Sequence, residues 1–317
     1  MKSEPIVSVG TSVAVGIGLV LVCMYVAPHL AASAFLSFMA LQLALGAAFA
    51  GLLLAVARQM RSAAIAACFA GVLAAPVLQA SPSTQALPAG DGSLTVLWLN
   101  AQHRPVSVER LLRYNEHLDA DIIAFAEMPV NWENRFRQAL AAFGCREWRG
   151  EEDGERIVIL SRSECVGQGA HSVPGGRDAI RWIAPSETGV DVVAVHAPRP
   201  FHPGRLAQLQ APWQAPALAR RDRVIDAAAQ RAATADAGIL IGDFNAVPWG
   251  RAVRAIKMAG LKRVACGAPW HTTWRASHAL PGFAIDHAFV PETATAQCMI
   301  GPDMGSDHRP IVLRVSF

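Results

Sequence analysis

The stretch "ILIGDFNAVPW", residues 239–249, runs from apolar residues and a glycine into an aspartate and an asparagine set two positions apart. A run of Ile and Leu is what a strand covered on both faces looks like, and ligands of open sheets sit at strand ends. Asp and Asn ahead of Pro248 are also ordinary turn chemistry. The rest of the chain decides between a turn and a site.

The pattern recurs. Strand-like runs are expected at 94–100, 121–127, 155–161, 179–184, 190–197, 238–245, 284–290 and 309–315, with helical periodicity over 106–118, 132–143, 217–232 and 250–260. "GEEDGE" (150–155) lies between two of these runs and reads as a hairpin turn. Asn100, Glu127, His196, Asp243 with Asn245, and Asp286 each close or interrupt an apolar strand, and "GSDHRPIV" places Asp307 and His308 just before the last one. One such residue is a turn; six such positions in one domain point to a shared purpose. Carboxylate and amide oxygens suit a hard cation such as Mg²⁺ or Mn²⁺, and histidine is the usual general base near neutral pH. Together they specify metal-assisted hydrolysis.

Ahead of this domain the composition changes. No Asp, Glu, Lys or Arg occurs from Pro5 to Ala57. As one helix that stretch would be roughly 80 Å long at about 1.5 Å per residue, against a bilayer core of about 30 Å. Two spans with a break near Pro28 are therefore expected, and a third after "RQMR" (58–61), giving a three-span anchor over residues 1–80. Lys2, Arg58 and Arg61 all stay on the cytoplasmic side in one topology, which leaves the rest of the chain outside. The expectation is a multi-pass inner-membrane protein with an extracytoplasmic catalytic domain.

Residues 81–92, "SPSTQALPAGDG", read as a linker able to span only about 40 Å, so the domain over 93–317 works near the membrane surface. Residues 81–317 carry 25 basic and 24 acidic side chains, a poor footprint for nucleic acid. Cys145, Cys165, Cys266 and Cys298 fall in this outer part, where two disulfides in any of three connectivities are open; pairing nearest in chain is the simplest.

"LWLNAQ", "DIIAFAE", "VVAVHAP", "ILIGDFNA", "TTW" (272–274), "AIDHAFV" and "GSDHRPIV", in that order, resemble the endonuclease/exonuclease/phosphatase superfamily. The resemblance implies an α/β (α+β) four-layer sandwich of two mixed sheets flanked by helices, here preceded by three transmembrane helices. It implies Glu127, Asn100 and Asp307 as metal ligands. His308 is implied as general base or phosphate contact with Asp286 orienting it, Asp243 as positioning the attacking water, Asn245 as holding a phosphate oxygen, and His196 as acid for the leaving oxygen.

His287 points the opposite way from Asp286 along a strand and is expected to be structural. Thr273 and Trp274 match a family feature and are expected to support their loop, and Arg177 and Arg181 are expected either to contact phosphate or to be exposed strand arginines, with the latter favoured. The three-span anchor resembles glycopeptide-resistance-type members, whose implied substrate is a polyprenyl pyrophosphate. The expected function is therefore hydrolysis of a lipid-linked phosphate or pyrophosphate. An extracytoplasmic nuclease and a sphingomyelinase-like phosphodiesterase are the alternatives. Phe201, Leu206, Leu209 and Trp213, in the proline-rich segment 198–218, are expected either to form a lip facing lipid or to fold onto their own domain.

Overall fold

A computed structural model describes residues 31–80, 93–129, 131–147, 157–170, 180–185, 189–200, 216–235, 237–268, 271–275 and 282–317. The first expected span, the linker, the "GEEDGE" turn, Arg177 and residues 201–215 of the proline-rich segment lie outside them. The chain divides into two compact units, one built on the amino-terminal helices and one holding both sheets.

The first unit contains α1 (Ala31–Val56) and α2 (Met60–Gln79), each long and apolar enough to cross a membrane. Of the three spans expected, two are thus present as helices among the described residues. Ala40, Ala44, Gly51 and Ala63 are buried, and a side chain added at Gly51 would meet the Ala66 Cβ at 3.4 Å. Small residues let the two backbones approach closely. Leu45, Phe49, Leu52, Val56 and Leu78 face outward.

The second unit opens with β1 (Leu94–Asn100), α3 (Pro105–Leu118), β2 (Ile122–Ala126), α4 (Trp132–Leu140), β3 (Cys145–Glu147), β4 (Val158–Ser161) and β5 (Cys165–Ala170). It continues with β6 (Ile180–Pro185), β7 (Asp191–His196), α5 (Pro216–Ala233), β8 (Gly238–Asp243), α6 (Arg251–Met258), β9 (Leu261–Val264), β10 (Asp286–Pro291), β11 (Thr295–Ile300) and β12 (Ile311–Ser316). The strands form two six-stranded mixed sheets, ordered β11-β12-β1-β2-β4-β3 and β5-β6-β7-β8-β10-β9. β1 pairs antiparallel with β12 and parallel with β2.

Alternation along the strands builds three cores. Val96, Trp98, Ile122, Ala124, Ile239, Ile241 and Ala288 meet between the sheets. Their chain neighbours Leu97, Leu99, Ile123 and Phe125 pack beneath α3 and α4 through Val108, Leu111, Trp132 and Phe136. On the other sheet Val193, Val195, Leu240 and Phe289 pack beneath α5 and α6 through Val224, Ile225, Val253 and Ile256. The expected helix-sheet-sheet-helix sandwich is what forms.

Both open sides of the sandwich carry a disulfide. Cys145 on β3 joins Cys165 on β5, and Cys266, just past β9, joins Cys298 on β11. These are the nearest-in-chain pairs, and each links edge strands of opposite sheets. Arg181 corrects both expectations, exposed arginine and phosphate contact: it is fully buried and donates from Nη1 to Glu147 Oε1 at 3.0 Å, bridging β6 and β3.

Candidate active site

The same alternation that sends Ile239 and Ile241 into the core between the sheets sends Asp243 to the end of that core. Strand register then assembles a polar row. His196 stands opposite Asp243 in the parallel β7–β8 pair, and Asp286 stands opposite Asp243 in the antiparallel β8–β10 pair. Gly242 makes the row possible, because a Cβ there would lie 2.0 Å from the Val195 carbonyl oxygen, an impossible contact. On the facing sheet Asn100 ends β1 beside Ala126, and Glu127 follows in a left-handed conformation (φ 48°) that breaks the strand alternation.

Hydrogen bonds join the two sheet ends. The Asn100 Nδ2 donates to Glu127 Oε1 and to Asp243 Oδ2, both at 3.2 Å. His196 Nε2 lies 3.4 Å from Glu127 Oε1 and 3.8 Å from Asp243 Oδ2. His308 Nδ1 bonds Asp286 Oδ2 at 2.8 Å, which turns Nε2 toward Asp243 Oδ2 (3.7 Å) and Asp307 Oδ1 (4.0 Å). All eight residues expected at the site therefore lie at one end of the sandwich, and seven of them are buried; Asp307 is partly exposed.

Asn245 answers the opening ambiguity both ways. Its backbone N–H donates to Asp243 Oδ1 at 2.9 Å, closing the turn the sequence suggested. Its Nδ2 donates to the Ala197 carbonyl at 2.9 Å, so only part of the amide is left to reach a phosphate. The turn is the mount for the site.

Residues outside the eight hold these groups in place, and Trp98, Arg221, Gln102 and Ser306 among them carry no signal in the sequence. The Trp98 indole N–H donates to Asp286 Oδ1 at 2.8 Å, and Thr273 Oγ1 accepts the backbone N–H groups of Ile285 and Asp286. Trp274 Nε1 donates to Asp307 Oδ2 at 3.0 Å, so Thr273 and Trp274 of the "TTW" stretch have the supporting part expected of them. Arg221 reaches from α5 to the Asn245 carbonyl at 3.2 Å. Gln102 Oε1 accepts the Asp307 N–H at 3.1 Å, and Ser306 Oγ donates to the Asn100 carbonyl at 2.7 Å. His287 bonds the Ala246 carbonyl at 2.8 Å on the opposite face, a structural histidine as expected.

Charge at the site is unevenly compensated. Burial opposes ionisation of Glu127, but His196, Asn100 and Arg199 outweigh it and hold the carboxyl down at about 2. Burial, reinforced by Asp286, pushes Asp243 above the ordinary carboxyl range. Asp286 stays below that range despite its burial, because His308, Thr273 and Trp98 surround it. Burial alone would lower His308; Asp286 and Asp243 instead carry it up to about 9.

This donor set fits a hard divalent cation. Ligand atoms of Asp243, Asp286 and His308 all lie within 4.8 Å of one another, with Glu127 and Asn100 tied to Asp243 through the Asn100 amide. The strained ionisation of Asp243 is the condition that a nearby cation relieves. Cys145, Cys165, Cys266 and Cys298 are engaged in disulfides, so the available ligands around the polar row are oxygen and imidazole nitrogen.

Comparison with known proteins gives the same picture. No curated protein matches the chain by sequence. Among solved structures, the 3'-5' exonuclease NExo from Neisseria meningitidis superposes with a TM-score of 0.55 at 15% identity, covering 71% of this chain and 100% of its own. An AP endonuclease from Archaeoglobus fulgidus gives 0.54 at 16% identity, over 69% of this chain and 98% of its own. An endonuclease/exonuclease/phosphatase family protein from Bacteroides thetaiotaomicron gives 0.52 at 18%, over 71% and 98%. At such identities the likeness is one of fold. The family profile itself matches residues 97–308, well over half of the sequence and spanning every residue of the polar row, and the chain belongs to the endonuclease/exonuclease/phosphatase family.

Proposed function

We propose that the chain is a divalent-metal-dependent hydrolase that acts on a lipid-linked phosphate or pyrophosphate at the outer face of the inner membrane. Members of the family are phosphoester hydrolases that generally depend on a divalent metal. The observation that carries the lipid reading is the presence, in the same chain as the polar row, of two helices apolar enough to cross a bilayer. Support for the orientation comes from Lys2, Arg58 and Arg61 and from the disulfides, which persist in oxidising compartments.

Glu127, Asn100 and Asp307 would hold the cation, with Asp243 alongside. Bound there, it would offset negative charge on phosphate oxygens. Asp243 positions the attacking water, fixed by its bonds to Asn100 and Asn245. His308, steered by Asp286, aims Nε2 into the space where a phosphate oxygen sits. His196, beside Glu127 and Asp243, is placed to donate a proton to the leaving oxygen.

The test is incubation of the detergent-purified chain with Mg²⁺ and a panel of polyprenyl pyrophosphates, sphingomyelin and DNA. Phosphate release from the polyprenyl substrate, abolished by EDTA, is expected. Cleavage of DNA with every lipid spared would establish the nuclease reading instead, and undiminished turnover after exhaustive chelation would remove the metal.

A further inference from the structure

Two basic side chains flank the carboxylate of Glu127 from the solvent side. Arg199, three residues beyond His196, places Nη2 3.3 Å from Oε1, and His103 places Nε2 3.6 Å from Oε2. Glu127 itself is 8% exposed, whereas the Arg199 and His103 side chains are 51% and 49% exposed. They therefore stand at the boundary between the buried polar row and the surface. A guanidinium carries five N–H groups, and among the described residues Arg199 spends its Nη2 on Glu127, so most of its donors remain available.

The chain is held in an unfavourable conformation to put His103 there. Gln102 and His103 are consecutive non-glycine residues with left-handed φ values of 52° and 55°, a region such residues avoid and that tends to persist at ligand clamps. The turn is tied down on three sides: the His103 N–H to the Glu127 carbonyl at 2.7 Å, the Gln102 N–H to Asn100 Oδ1 at 3.1 Å, and Gln102 Oε1 to the Asp307 N–H. Neither Arg199 nor His103 belongs to the polar row that handles the attacked phosphorus. Their placement one step outward suits an anion adjoining it.

We infer that Arg199 and His103 form a subsite for a second phosphate, the leaving group of a diphosphate whose terminal phosphorus sits over the polar row. The inference rests on the lipid-phosphate reading and sharpens it. Water oxygen joins the terminal phosphorus, and the bond from that phosphorus to the bridging oxygen breaks. The bridging oxygen departs with the inner phosphate, and the two protons of water are shared between the products, inorganic phosphate and a lipid monophosphate. Arg199 and His103 bind the inner phosphate at the exposed rim, where the remainder of the substrate extends away from the polar row.

The test measures binding of methylenediphosphonate and of inorganic phosphate to the full-length protein in detergent with saturating Mg²⁺, by calorimetry, for wild type, Arg199→Gln, Arg199→Lys and His103→Gln. Wild type is expected to prefer the diphosphonate by about tenfold or more, the scale of one or two charge-assisted hydrogen bonds. Arg199→Gln and His103→Gln should each erase most of that preference while phosphate affinity stays within about threefold, and Arg199→Lys should restore part of it. A preference unchanged in both Gln variants overturns the subsite, as does an equal loss for both probes. Turnover distinguishes failure of the subsite from failure of the lipid reading. If farnesyl diphosphate and farnesyl phosphate are both hydrolysed and Arg199→Gln slows them equally, the subsite fails while the lipid reading stands. If only DNA is cleaved yet the diphosphonate preference responds to Arg199, the lipid reading fails and the anion subsite stands.

Discussion

At the scale of single residues, Asp243 and His308 carry the sharpest expectations. Asp243→Asn removes the charge that Asn100, Asn245 and His308 are arranged around, and His308→Ala leaves Asp286 without its imidazole partner. Each should reduce turnover by about a hundredfold or more, the usual scale for losing acid/base or charge-positioning help. Near-wild-type rates in variants with native circular dichroism would take them out of the chemistry. His287 predicts a stability effect instead. Burial and the positive charge of Arg263 push its pKa down to about 3, so the folded protein keeps it neutral while the unfolded chain protonates near its ordinary value. Stability from this group is present above about pH 6.5 and declines as the pH falls from there toward 3, by up to about 1.4 kcal/mol per pH unit. The midpoint of thermal unfolding should therefore fall less between pH 7 and pH 5 in His287→Gln than in wild type. Parallel curves would assign the acid sensitivity elsewhere.

The strand-end residues were legible because each interrupts an apolar run, a signal local to the sequence. Their supporting partners were not: Trp98 reaches Asp286 across 188 positions and Gln102 reaches Asp307 across 205, distances that only the folded register closes. Arg199 and His103 were hidden differently, since arginine and histidine in connecting segments are ordinary surface residues until Glu127 is seen between them.

At the scale of elements, the eight strands read from the sequence are β1, β2, β4, β6, β7, β8, β10 and β12, and the four that escaped are β3, β5, β9 and β11. All four are sheet edges. An edge strand is covered on fewer sides, so β5 and β11 mix exposed and covered positions where β2 and β8 are buried throughout, and no apolar run announces them. Each of these edges carries, or in the case of β9 lies next to, a half-cystine. Closing loops of 20 and 32 positions, the two bridges should each contribute about 3–4 kcal/mol by the chain-entropy relation. Replacing Cys266 and Cys298 together by Ser should lower the unfolding midpoint by several degrees. Recovery of all four of these cysteines as free thiols from the native protein would contradict both this and the proposed outward orientation of the domain.

At the scale of the whole molecule, the proposed lipid substrate gives the apolar helices a part in catalysis, because confinement to one surface raises the concentration of enzyme and substrate for each other. Removing residues 1–80 should depress hydrolysis of a bilayer-embedded polyprenyl pyrophosphate far more than hydrolysis of a short-chain soluble analogue, since Glu127, Asp243 and His308 remain. Equal losses on the two substrates would detach the helices from substrate access. The pairing of β1 with β12 has a further consequence, for the order in which the protein comes into being. β1 is the first strand of its sheet to leave the ribosome, yet one of its two neighbours is the last, and Asp307 and His308 arrive only just before that strand. A nascent chain that has already delivered Glu127 and Asp243 still leaves β1 as an unpaired edge and lacks the His308 imidazole. The polar row is thus completed only when the last strand closes the sheet, after every other element of the domain has been made.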